Sequence, residues 1–93
     1  MAVIFTASAN ADLDDIFAYT AQNYPGQLGA LQSLIREVTS KIEAWPQNAG
    51  LVEQRPGVRV VPLLRFPFRI FYRQTAAGIE ILHIHHVSRA LWE

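Results

Sequence analysis

The chain has no cysteine among its 93 residues, so disulfides and thiolate chemistry are excluded, and the cysteine-free composition permits a cytosolic location. No apolar run approaches the roughly 20 residues that a membrane-spanning helix needs. The N-terminus lacks a basic stretch followed by a long apolar one, so no signal peptide is expected. Charge is sparse, at 17% of residues, and sums to zero. There is no Gly-rich phosphate loop, no Gly-x-Ser-x-Gly elbow and no Cys/His zinc spacing. What is present is a 51% hydrophobic composition, typical of a folded globular chain. At this length one core is expected, a single domain over 1–93, burying somewhat more than roughly 60% of the unfolded surface. Together these readings lead to the expectation of a soluble, cytoplasmic protein with no membrane association.

The zero net charge hides a division. Residues 1–50 carry two cations, Arg36 and Lys41, against Asp12, Asp14, Asp15, Glu37 and Glu43, a balance of −3. Residues 51–93 carry six arginines, at 55, 59, 65, 69, 73 and 89, against Glu53, Glu80 and Glu93, a balance of +3. That pattern implies one basic face and does not imply strong binding of free nucleic acid. An ordinary solvated surface would look the same. The planar guanidinium fork of arginine suits a carboxylate or phosphate better than lysine does.

Local patterns give an order of elements. Val3-Ile4-Phe5 reads as a strand. Ser8 or Asn10 is a candidate cap for a helix whose first turns hold Asp12, Asp14 and Asp15, where the helix dipole favours negative charge. Leu13, Ile16, Phe17 and Ala21 form its buried stripe. Tyr24-Pro25-Gly26 breaks it, and Pro25 can open a second helix. That helix is expected to bury Leu28, Leu31, Leu34, Ile35, Val38, Ile42 and Trp45 before Pro46 stops it. Residues 46–57 read as a loop. Strands are expected over Val58–Leu63, Phe66–Arg73 and Ile79–Val87, the last two joined through Gln74–Gly78. Pro62 and Pro67 belong at strand ends, bulges or an edge, because they cannot donate to a ladder. The fold class is α+β, β-α-α-β-β-β, with a two-helix hairpin packed on one face of a small, mainly antiparallel sheet.

Alternation puts Phe68, Ile70 and Tyr72 on one side of the middle strand and Arg69, Phe71 and Arg73 on the other. In the last strand the same rule groups Leu82, Ile84 and His86 against Ile79, Ile81, His83 and His85. Neither face is cleanly polar. Helices can cover one; the other is either a curled core or a partner's docking surface, and the docking surface is favoured. His83, His85 and His86 invite thought of a metal. Zinc wants a third protein ligand, often a carboxylate, and nothing near them in the chain supplies one, so no metal site and no cofactor are assigned.

The ordered set Gly57-Val58-Arg59, Arg65-Phe66-Pro67-Phe68-Arg69-Ile70-Phe71-Tyr72-Arg73, Ile79-Glu80-Ile81-Leu82 and His86-Val87-Ser88-Arg89 resembles the RelE/ParE superfamily of toxins, the plasmid-stabilisation type of type II toxin–antitoxin system. Ala11-Asp12-Leu13-Asp14-Asp15-Ile16 opens the first helix in the style of that family, so the resemblance covers nearly the whole chain. It implies a toxin held in a hetero-oligomer by a cognate antitoxin, ParD-like, whose tail, often acidic, wraps the toxin. It also implies a target, DNA gyrase for ParE-like members or the ribosome for RelE-like members. Residues expected at the antitoxin or target surface are Arg65, Arg69, Phe71, Arg73, Arg89 and Trp92. Were the chain a ribosome-dependent mRNA endoribonuclease, the resemblance would make Arg59, Arg69, His86 and Arg89 catalytic. Against that reading, Val61 replaces a second basic residue carried by many ribonuclease members, no tyrosine follows Arg89, and the chain is neutral where ribosome binders tend to be basic. The ParE-like, non-enzymatic reading is favoured. The alternatives are the ribonuclease and an inactive relative that only binds antitoxin.

Overall fold

The computed structural model describes residues 2–89. Strand β1 (Ala2–Phe5) leads into helix α1 (Ala7–Asn23), and a single 3-10 turn (Pro25–Gln27) passes the chain to helix α2 (Leu28–Ala44). Four strands follow: β2 (Gly50–Leu51), β3 (Val58–Pro62), β4 (Phe68–Thr75) and β5 (Gly78–His86). They form one five-stranded sheet in the order β1-β5-β4-β3-β2. Only the β1–β5 pair is parallel, because the chain crosses through both helices and three strands before β5 returns beside β1. The α+β architecture and element order agree with the sequence reading, with β2 added inside the expected loop. No helix among the described residues is long and apolar enough to cross a membrane.

Helix α1 starts earlier than Ser8 or Asn10 would place it. Thr6 is the cap, in extended geometry, with its side-chain oxygen accepting from the Ala9 N–H at 3.2 Å. The same hydroxyl donates to the Ile81 carbonyl at 3.0 Å, so one residue ends β1, starts α1 and fastens both to β5. With the helix beginning at Ala7, the three aspartates fall beyond its first turn, and the dipole does not account for them. Pro25 does open the second helical segment, by way of the 3-10 turn. Trp45 is not part of the buried stripe: it caps α2 and is 69% exposed.

One core lies between the helices and the sheet. Ala9 and Ile16 from α1 and Leu31, Ile35 and Ile42 from α2 meet Ile70, Tyr72, Ile79, Ile81 and Ile84 from the sheet. A second, smaller cluster of Val52, Val58 and Phe71 lies apart from it, with Val60 and Leu82 packed alongside. Alternation holds in β4, whose Ile70 and Tyr72 enter the first core while Phe71 enters the second. It fails in β5. Phe71 pairs with His83 and Tyr72 with Ile81, so Leu82 is an extra residue at a bulge. Beyond the bulge the parity reverses: Ile79, Ile81 and Ile84 all serve the helix-side core, contrary to the strict alternation expected of this strand. The sheet's second face is thus partly a curled core, closed over Phe71 by the chain's own residues.

Candidate functional site

The arginines of the second half differ in what they hold. Arg59, on β3 opposite Tyr72, reaches the segment that follows α2 and donates from Nη1 to the carbonyls of Ala49 at 2.7 Å and Gln47 at 3.2 Å. Tyr72 donates its phenol proton to the Pro46 carbonyl at 2.8 Å. Burial raises the phenol above its ordinary pKa, with the Arg59 charge and a backbone hydrogen bond at Ala49 opposing that rise. Arg59 and Tyr72 therefore act as a clasp between sheet and helix exit. Arg73 pairs with Glu80 directly across β4 and β5, Nε to Oε1 at 2.7 Å, in an exposed setting.

A second group gathers at the end of the sheet where β4 begins and β5 ends. Arg69 donates from Nη2 to the carbonyls of Val87 at 2.8 Å and Arg89 at 3.1 Å, and so holds the turn that follows β5. His86, opposite Phe68, meets that ring edge-on at a centroid distance of 5.6 Å. Its Nδ1 accepts from the Ser88 N–H at 3.0 Å. That nitrogen's lone pair is thereby engaged, which places the proton of the neutral ring on Nε2. The Arg89 side chain is exposed and makes no hydrogen bond among the described residues. Arg69, His86 and Arg89 lie at the same end of the sheet, Arg69 on the face of Phe71 and His86 on the helix side beside Phe68. Arg59 stands about three residues further along the sheet and one strand across, spent on backbone carbonyls.

Phe71 was expected at a partner surface, but it is 0% exposed, and its area serves the second cluster instead. Trp92 lies outside the described residues. Arg65 sits between β3 and β4 at a φ of 74°, a left-handed conformation that costs a side-chain-bearing residue about 1 kcal/mol or more. Exposed beside Leu64, it borders two hollows of about 520 Å³ each. One runs between α2 and β3 past Trp45; the other lies between the end of α1 and the start of β4, lined by Tyr19, Tyr24, Phe66, Phe68 and His86. The sequence reading missed Tyr19 and Tyr24. The available signal was two tyrosines five residues apart, off the apolar stripe of α1.

The comparisons with known proteins bear on this arrangement as a whole. The family model described as "ParE toxin of type II toxin-antitoxin system, parDE" matches residues 3–91. The chain belongs to the ParE toxin family. Among solved structures, this ParE-family chain is similar to one from the chromosomal ParDE toxin–antitoxin system of P. aeruginosa. The two are 32% identical, the match covers 92% of this chain and 95% of that one, and the TM-score is 0.77. It shares its fold, at 17% identity and a TM-score of 0.60, with a chain of the YoeB–YefM complex from Staphylococcus aureus, again over 92% of this chain and 95% of that one. Comparison with curated proteins gives no match. As a member of the ParE family the chain is placed among the toxins of type II toxin–antitoxin systems, the coarser part of what its sequence implied.

Proposed function

We propose that this chain is the toxin of a toxin–antitoxin pair, that a cognate ParD-like antitoxin neutralises it, and that it acts by binding DNA gyrase without chemistry of its own. The family match over residues 3–91 carries the toxin assignment. The antitoxin assignment leans on the ParDE system to which the similar structure belongs. The aromatic hollow beside His86, with Arg65 at its border, is the surface on which an acidic, amphipathic tail would lie.

The non-enzymatic reading rests on how the candidate catalytic groups are used. An endoribonuclease must activate a ribose hydroxyl, hold a phosphate and protonate a leaving oxygen. Here Arg59 and Arg69 each donate to two backbone carbonyls, and the lone pair of His86 Nδ1 accepts a backbone N–H. The one observation on the ribonuclease side is the gathering of Arg69, His86 and Arg89 at a single end of the sheet. Induced expression without antitoxin separates the two. Gyrase poisoning gives filamentation, an SOS response and, with purified protein, inhibited supercoiling. Codon-phased mRNA cuts abolished by His86→Ala and Arg89→Ala would replace this reading with the ribonuclease. An absence of any growth defect would leave only antitoxin binding.

A further inference from the structure

Two histidines at alternate strand positions lack, within their own segment, a third ligand for a metal. The fold supplies one. Strand β1 stops at Phe5, which pairs with Ile81, so beyond that point the outer edge of β5 has no neighbouring strand. Helix α1, fastened there by Thr6, brings Asp12 to this edge. Its Oδ2 accepts the Ile84 N–H at 2.9 Å and lies 3.3 Å from His83 Nδ1, across 71 residues of chain. The His83 ring lies 4.7 Å from that of His85, centroid to centroid. The donor atoms of Asp12, His83 and His85 all fall within 4.8 Å of one another.

We propose that Asp12, His83 and His85 form a binding site for one divalent transition-metal ion of the zinc class, with a fourth position for water or for a ligand from another molecule. Two imidazoles and one carboxylate are the donor set such an ion takes, whereas calcium and magnesium favour oxygen alone. A tetrahedron with bonds of about 2.0–2.1 Å has edges of about 3.3–3.4 Å. The Asp12–His83 separation already has that length, and the widest of the three, no more than 4.8 Å, has to close as the ion binds. Asp12 and His83 are partly exposed, at 23% and 30%, which leaves an approach for the ion, while His85 at 4% gives the site a buried wall. The Ile84 N–H orients the carboxylate, the role outer hydrogen bonds play at metal sites. Without metal the same Asp12 protects the open edge of β5 and hydrogen-bonds His83; with metal the ion takes the place of the His83 ring proton and pins α1 to β5. His86 is outside the site, because Ser88 and Phe68 hold it elsewhere.

The test uses the full chain, stripped with a chelator and titrated with zinc chloride by calorimetry, with cobalt(II) absorption as a report of geometry. The expected result is one ion per chain with the visible bands of a tetrahedral cobalt site. His83→Gln and His85→Gln should each weaken binding by about tenfold or more, and His86→Gln should leave it unchanged. His83 is the more exposed of the pair, so that variant tests the site even where substitution of buried His85 disturbs the fold. Absence of stoichiometric binding, binding that survives in folded His83→Gln, or equal loss in His86→Gln would overturn the proposal.

Discussion

Under the two helices, five sheet residues and five helix residues, all apolar but for one phenol, form a continuous core. On the opposite face, Phe71 packs with Val52 and Val58, and around it stand Arg69, Arg73, Glu80, His83 and His85. The first face follows the periodicities of its elements, 3.6 for the helices and 2 for β4. The second depends on a short segment after β2 that folds Val52 over Phe71. The bulge that adds Leu82 to β5 serves both faces, sending Ile84 to the first and His83 and His85 to the second. The comparison separates residues that make the fold from residues left over for a partner. Cations whose donors meet carbonyls, such as Arg59, belong to the former; Arg89 belongs to the latter.

The largest effect should come from the helix-side core. Ile70→Ala should cost about 2–5 kcal/mol in denaturant unfolding, and Val52→Ala, with a smaller side chain and a thinner cluster, roughly 1–3 kcal/mol. Equal losses would mean that the second cluster is as much a core as the first. Gly78 pairs with Ala2 at the β1 edge, with φ at 146° and a Cβ position that would collide with the Ala2 carbonyl oxygen. Gly78→Ala should therefore cost about 2–3 kcal/mol and release protection of the Val3–Phe5 amides in hydrogen exchange. Unchanged protection there would mean that β1 gives way without leaving the sheet.

Smaller effects sharpen the division among the arginines. Arg59→Met should lose roughly 1–2 kcal/mol of stability with its two carbonyl contacts. Arg89→Ala should stay within about 0.5 kcal/mol of the parent and act on toxicity or antitoxin affinity instead. Reversed outcomes in thermal melts and growth assays would exchange their roles. Tyr72→Phe should cost about 1 kcal/mol by removing the hydrogen bond to Pro46. Because folding raises the phenol pKa, its contribution is complete below pH about 10 and is lost as pH rises through the folded-state value. Tyr72→Phe should lack that alkaline component, and an unchanged alkaline slope would refute the assignment.

The sequence alone determined whatever is local and periodic. The helices, the strands over residues 58–87, the parity of β4 and the ordered motifs that mark the family could all be read along the chain, because hydrogen-bonding geometry imposes its period on side chains a few residues apart. Only the tertiary structure decided the rest. The bulge at Leu82 breaks the period of β5, and no residue there announces it. Phe71 is buried by a loop that looked like a connection. The charge count showed six arginines in the second half without showing that Arg59 and Arg69 are occupied by carbonyls and Arg73 by Glu80. Asp12 read as a residue for the helix dipole, yet it meets His83 and Ile84 at the edge of β5. Such pairs are set by where β1 stops and α1 turns back, and a partner 71 residues away leaves no mark on local sequence.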